Sequence, residues 1–301
     1  MKGYIFVNPY GSVVPSVHHA NRMKEELNKR GVEVDIIDDG FSRIAMQGKS
    51  AQIDLTPPDF AIYLDKDKYL SEILEKAGLR LFNKHEAVRV CDDKGQTYIK
   101  LAGQGVKFPK TIFGPLCYRA DSEMKLEWAK KIGESLGYPV IIKESFGSMG
   151  KGVYKADNEQ ELFEIMQQVK LKPHLYQEYL GDKIGIDVRV IVIGGRAVAC
   201  MERRNDGDFR SNVGQGGKGK QIMLTPQFKE VAEGCAHILG LDYCGVDLLY
   251  GENGEPYVCE VNSNAFIDGI ESVTGINVAG IYADYIIKTV TEEKINSIKN
   301  R

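Results

Sequence analysis

Apolar and polar positions along the first ninety residues follow two rhythms in turn. Short apolar runs at 3–8, 32–38, 58–64 and 79–82 read as strands, while 17–30 and 67–77 carry helical spacing. Such alternation predicts a parallel sheet covered by helices. Further on, 93–103 and 123–136 read as helices, and 138–144 and 152–155 as strands. Asp157 reads as the cap of a helix running to about Val169. Two alternating stretches, 187–204 and 245–262, read as hairpins turning at Gly194-Gly195 and Asn253-Gly254, because tight two-residue turns need positive φ at both central positions. Between them Thr225 caps a helix with Pro226 at its first position and its end near Gly240. A last helix covers roughly 277–295.

A two-residue turn at Asn253-Gly254 fixes a register. Glu252 then opposes Glu255, Tyr250 opposes Tyr257 and Asp247 opposes Glu260, with Asn262 on the same face. Opposed Cβ atoms stand about 4.5–5.5 Å apart, and like charges there repel. The neighbours Val246, Leu248, Val258 and Val261 are apolar, so the pair is poorly screened. Two carboxylates and an amide oxygen suit Mg²⁺, and two such ions can share a carboxylate. A solvated acidic strand end, or a pair with one carboxyl protonated, fits the same pattern. The Gly194-Gly195 turn sets Asp187 opposite Glu202 and Arg189 opposite Cys200, with Arg204 continuing that face. Val188, Val190, Val192, Ala197, Ala199 and Met201 form the core face. An ordinary solvent-exposed face alternates in the same way.

Residues 203–220 interleave Arg203, Arg204, Arg210, Lys218 and Lys220 with glycines. Glycine admits close backbone approach and arginine binds phosphate or carboxylate bidentately, so the segment reads as a small-anion site or as a flexible basic loop. Phe209 is its sole aromatic residue, which disfavours a base-stacking surface for nucleic acid. The loop at 146–153 lacks the P-loop pattern and leads into a strand; it reads as a lid over a phosphate chain or as a flexible turn. Lys143, within an apolar strand, is either at a sheet edge or aimed at an anion.

The length of 301 residues predicts two or three small lobes. A net charge of −3 provides no global field for nucleic acid or a membrane surface. No apolar run approaches the roughly 18 residues of a membrane span, and no signal peptide is visible. The six cysteines show no metal-ligand spacing and read as reduced bystanders of a cytosolic protein.

Taken in order, several segments resemble the RimK-type ATP-grasp ligases. They are Asp93-Lys94, residues 139–143 and 147–153, Gln177-Glu178-Tyr179, Asp187-Val188-Arg189, residues 201–204 and 208–212, Gly245-Val246-Asp247 and residues 259–262. The resemblance spans nearly the whole chain and is strongest from about residue 93. It implies an α/β chain with the ATP-grasp fold and three lobes. These are an N-terminal parallel α/β lobe (1–90), a central lobe with the glycine lid (91–180) and a C-terminal lobe with the metal site (181–301). ATP would lie between the second and third.

The resemblance also implies roles. Lys94 and Lys143 would contact the phosphates, with Gly147, Ser148, Gly150, Lys151 and Gly152 closing over them. Glu178 and Tyr179 would form the adenine hinge, Asp187 would contact the nucleoside, and Asn212 would lie near the nucleotide. Asp247, Glu260 and Asn262 would hold Mg²⁺ or Mn²⁺, with two ions expected. Arg189, Arg203, Arg204 and Arg210 would face the acceptor carboxylate, γ-phosphate or acyl phosphate. The implied reaction is ATP-dependent, ADP-forming amide synthesis through an acyl phosphate, adding a glutamate-like amino acid to a carboxylate on a protein or small molecule. Ligation to a cofactor or carrier protein is the nearest alternative, and a non-catalytic ATP-binding regulator is the alternative of another class. Family analogy suggests a dimer or tetramer. The run Ser263-Asn264-Ala265-Phe266 departs from the family pattern, so the acceptor does not transfer.

Overall fold

The computed structural model describes residues 1–11, 14–180, 184–211 and 216–299. Its N-terminal part is the parallel sheet that the alternation predicts. Strands β1 (Lys2–Val7), β2 (Glu33–Ile37), β5 (Phe60–Leu64) and β6 (Leu81–Phe82) lie in the order β2-β1-β5-β6, with helices α1 (Val14–Lys29) and α2 (Lys68–Lys76) in the connections. Ala20, Met23 and Leu27 recur at helical spacing and are buried against Ile5, Phe60 and Ile62. An antiparallel hairpin of β3 (Ile44–Gln47) and β4 (Ser50–Ile53), absent from the sequence reading, sits beside α2.

Helices α3 (His85–Asp92) and α4 (Lys94–Leu101) occupy the next stretch, where a single helix from 93 is expected. The Asp93 side chain caps α4 by accepting from the Gly95 and Gln96 amides, which separates the two helices. The central sheet is antiparallel in the order β7-β10-β8-β9, built from β7 (Thr111–Phe113), β8 (Val140–Glu144), β9 (Val153–Ala156) and β10 (His174–Glu178). Helices α5 (Leu126–Leu136) and α6 (Glu159–Val169) back it. Asn158 rather than Asp157 caps α6 through the Glu161 amide, and Glu161 accepts from the Asp157 amide in return.

The third sheet is antiparallel in the order β13-β12-β11-β14-β15. Its strands are β11 (Ile186–Ile193), β12 (Arg196–Arg204), β13 (Lys218–Gln221), β14 (Tyr243–Tyr250) and β15 (Pro256–Asn262). Helix α7 (Pro226–Leu239) starts on the Thr225 cap and Pro226, and ends at Gly240 with φ 69°, as the sequence indicates. Helices α8 (Asp268–Thr274) and α9 (Val278–Lys299) complete the chain.

The cores group these parts. One core joins Ile5 and Phe60 of the first sheet and Met23 of α1 to Ile191, Met201, Tyr243 and Ile286, so the first and third units share an interior. Buried Asn83 pins the junction. Its Nδ2 donates to the Tyr243 and Ser263 carbonyls at 2.7 and 2.8 Å, and its Oδ1 accepts from the Asp242 and Tyr243 amides. A second core sets Ala87, Val90, Cys91 and Leu101 under α7 and the third sheet. Residues 85–101 therefore pack with the third unit, across the expected boundary at 90/91. The central sheet keeps its own core of Val140, Ile142, Leu162, Met166 and Tyr176.

Candidate active site

The site is built on the two hairpins, and each carries a bulge that decides its chemistry. In β14–β15 the Gly251 amide donates to the Glu255 carbonyl at 2.8 Å, leaving residues 252–254 as the loop. That is one residue longer than the two-residue turn. Tyr250 accordingly pairs with Pro256 and Leu249 with Tyr257, and Glu252 lies within the three-residue turn while Glu255 follows it. A bulge next to Asp247 then takes up one residue on β15, Cys259, and restores the expected pairs Asp247–Glu260 and Gly245–Asn262.

In β11–β12 the turn is as expected, with Gly194 and Gly195 at φ 56° and 75° and Val192 opposite Ala197. A bulge between Ile191 and Val192 then shifts the pairing. Asp187 opposes Arg203 rather than Glu202, and Arg189 opposes Met201 rather than Cys200. The slip exchanges the faces of β12. Arg203 turns inward and is 3% exposed. Arg204 turns outward, 3.9 Å from exposed Asp206, so the structure does not bring it to the site. Glu202 faces α7 and accepts from the Tyr250 hydroxyl. Ala199 and Met201 enter the core shared with the first unit, while Val188, Val190 and Val192 enter the core under α7.

The inward side chains form one buried chain of charge. Arg189 Nε and Nη2 donate to Asp247 Oδ1 and Oδ2 at 2.7 and 2.6 Å. Arg203 Nη2 lies 2.9 Å from Asp247 Oδ2, and its Nε donates to Asp187 Oδ1 at 2.7 Å. Two guanidiniums and two carboxylates cancel, which is what makes their burial tolerable. Burial alone would raise the Asp247 pKa; Arg189 and Arg203 hold it below the usual carboxylate range.

The central sheet brings the lysines. Lys143 on β8 is buried, with Nζ 3.6 Å from Cys259 Sγ. Burial works against its charge, yet Cys259, Tyr98 and Glu260 raise its pKa above the ordinary lysine range. The Tyr98 hydroxyl donates to the Cys259 carbonyl at 2.5 Å and so braces the bulge. Lys94, at the start of α4, donates to the Gly147 carbonyl at 2.9 Å and stands 3.6 Å from Glu260 Oε1.

These contacts define a cleft between the central and third sheets. Of the expected residues, Lys94, Lys143, Gly147, Ser148, Gly150, Lys151, Glu178, Tyr179, Asp187, Arg203, Arg210, Asp247 and Glu260 line it. A RimK-like ATP-grasp domain is matched over residues 91–286. The chain belongs to the RimK-like ATP-grasp family. Beta-citrylglutamate synthase B of Danio rerio is 36% identical over 225 residues, 74% of this chain and 54% of that protein. N-acetylaspartylglutamate synthase A of Homo sapiens is 36% identical over 232 residues, 76% of this chain and 57% of that protein. The chain thus spans little more than half the length of these two relatives. A probable alpha-L-glutamate ligase of Psychromonas ingrahamii is 33% identical over 301 residues, covering 95% of this chain and 96% of that protein. Among solved structures, D-alanine–D-alanine ligase from Bacillus anthracis complexed with ATP shares the fold, with a TM-score of 0.72 at 18% identity over 100% of this chain and 99% of that one.

In this RimK-like chain the lid is closed. Lys94 holds the Gly147 carbonyl from one side, and Arg210 Nη1 reaches the Gly150 carbonyl at 3.3 Å from the other. Asp208 fixes Arg210 through Nε and Nη2 at 3.0 and 2.7 Å. Gly152, at φ 72°, folds so tightly onto Glu144 that a Cβ there would sit 3.0 Å from its side chain. The space left in the cleft is about 110 Å³, below the roughly 300–1,000 Å³ of typical ligand sites.

Other positions complete the picture. The Glu178 carboxylate accepts from the Lys110 amide at 2.7 Å, so this side chain is engaged at the hinge strand. Arg189 and Asn262 are on the same hairpins, opposite Asp247 and Gly245, and do not line the cleft. Asn212 lies outside the described residues. Gln177, Phe209, Ser211, Leu249 and Cys259 also line the cleft. Gln177 stands opposite Ile141, on the Lys143 face of the central sheet; that cross-strand pairing and the bulge at Cys259 left no local signal.

The donors that the resemblance implies for a metal are all hard oxygens. Among the described residues no three carboxylate, histidine or cysteine side chains converge on a metal-sized space. The oxygens of Asp247, Glu260 and the Asn262 amide are the sparse set that Mg²⁺ takes when phosphates supply the rest, and both Asp247 oxygens here accept from Arg189. Buried Asn262 Nδ2 has no hydrogen-bond partner, so no such bond holds the amide from that end.

Proposed function

We propose that this chain is an ATP-dependent, ADP-forming carboxylate–amine ligase that joins a glutamate-like amino acid to a carboxylate-bearing acceptor. The observation that carries the proposal is the convergence, in one cleft, of two buried lysines, the Asp247–Glu260 carboxylate pair and buried Arg203. The names of the relatives, two of them glutamate-containing amide synthases and one a probable glutamate ligase, support the same chemistry.

The acceptor carboxylate attacks the γ-phosphorus of ATP and ADP leaves. The amine then attacks the acyl carbon and phosphate departs. Such transfers depend on positioning and on charge neutralisation. Lys94, Lys143 and Lys151 would carry the phosphates, with Arg210 on the far side of the lid. The lid would exclude water from the acyl phosphate. Asp247, Glu260 and Asn262 would hold magnesium, which neutralises phosphate charge when bound. Arg189 borders the acceptor end: a Cβ on Gly245 would meet both Arg189 Nε, at 3.6 Å, and Ala265 Cβ. The segment that departs from the family pattern is thus next to this arginine, which supports treating it as the acceptor determinant. A cytosolic setting is supported by six free cysteines.

The test is ADP release with ATP, magnesium, glutamate and a small-acid extract. Glu260→Gln is the blank, because Asp247 also supports the buried arginines. Extract-dependent ADP that vanishes in the variant, with a product equal in mass to acid plus glutamate less water, is expected. Nucleotide binding without any substrate-dependent ADP would favour the regulatory reading and overturn the proposal.

A further inference from the structure

The central sheet has a second face, and that face carries a cavity which the proposed reaction does not use. Strand alternation separates the two sides. Ile141, Lys143 and Gln177 line the charged cleft, whereas His174 and Tyr176 of the same sheet line a cavity of about 620 Å³. Trp128 of α5, Met166 and Lys170 at the end of α6, and Leu116 of the 114–125 loop wall it in. That volume is in the range of small-molecule sites and well above that of the closed cleft. Gly114 lets the loop cross directly over His174, since a Cβ there would sit 2.1 Å from its Nε2.

The polar groups at the floor satisfy one another. His174 Nδ1 is 2.7 Å from the Lys172 carbonyl, which can only accept, so in the neutral ring Nδ1 carries the hydrogen. Nε2 then accepts from the Tyr176 hydroxyl at 2.7 Å. Both residues are at least 96% buried, and neither asks an occupant for a charge, so the deep end suits apolar matter. The rim differs. Arg119 is tied to Asp121 at 2.9 Å. Lys170 Nζ donates to the Ser122 carbonyl at 2.9 Å and makes no ion pair among the described residues, though the Asp121 carboxylate feels its charge. An ammonium has three donors, so two remain.

We infer that this cavity binds an amphipathic monocarboxylate, its apolar body over Tyr176 and Met166 and its carboxylate on Lys170. The site is independent of the ligase reading and can be tested without nucleotide. Trp128 is the sole tryptophan of the chain and reports on the cavity directly. Decanoate and decanol, matched in their apolar body, are titrated against its emission. Decanoate is expected to give a saturable change and to bind about tenfold tighter than decanol, the effect of one charge-assisted contact. Lys170→Ala should bring the two probes to parity and leave decanol unchanged. The inference fails if neither probe saturates, if decanol matches decanoate in the wild type, or if Lys170→Ala keeps the preference. Emission that already shifts with protein concentration, before any probe, would assign the cavity to a second copy and overturn it equally.

Discussion

The two hairpins that build the cleft are a natural pair: each is one long alternating segment with a glycine turn and a single bulge. They differ in what the bulge does. In β14–β15 the loop is one residue longer than its Asn-Gly signature implies, and the bulge removes the offset before the strand reaches Asp247 and Glu260. In β11–β12 the turn matches its signature and the bulge adds an offset, so Arg203 rather than Arg204 meets Asp187. Turn chemistry therefore predicts register beyond a bulge only when a second offset cancels it. The side chains beyond it are assigned by which face must be buried.

The comparison is broken most severely at its shared point. Asp247→Ala leaves Arg189 and Arg203 buried without their common carboxylate, and about 3–5 kcal/mol of stability should be lost in urea unfolding. Arg203→Met should cost a similar amount, because it strands Asp187 and leaves Asp247 with one partner.

The apolar root of β14 offers a contrast driven by pH. His19 is buried there, its ring 5.7 Å from that of Tyr243, and burial holds its pKa down to about 4. The unfolded chain takes up a proton near pH 6.5 and the folded one only near 4, so stability falls as pH drops through that window. The loss should reach about 3 kcal/mol. His19→Phe should flatten this part of the pH–stability curve, and an unchanged slope would place the titration elsewhere.

The smallest expected effect sharpens the comparison best. Arg204→Ala should alter stability by no more than about 0.5 kcal/mol and leave ADP formation within about twofold, since its ion pair is exposed. A large loss of activity would mean that Arg204 reaches the substrate after all.

Much of the fold is legible in the chain. The parallel sheet, both hairpins and the caps of α7 follow from apolar periodicity and turn residues, which act locally. The Asp247–Glu260 pairing was also legible, though through two offsets that cancel. The exchange of Arg203 for Arg204 was not, because the bulge between Ile191 and Val192 answers to two cores pressing on opposite faces of β12, and no local pattern encodes that. Helix α3, the β3–β4 hairpin and the short edge strand β13 are too brief to give a period. Closure of the lid was also hidden. It depends on Lys94 and Arg210 reaching carbonyls more than fifty residues away along the chain.

The paired offset in β14–β15 has a consequence for how this hairpin can vary. Its loop and its bulge each add one residue to the strand connection, and only together do they keep Glu260 across from Asp247. A single-residue deletion at the turn would leave the bulge uncompensated and turn Glu260 to the wrong face, whereas a turn deletion matched by loss of the bulge at Cys259 would not. Length changes here should be inherited in pairs: the hairpin is a coupled insertion site, and each half stands as the condition for the other's survival.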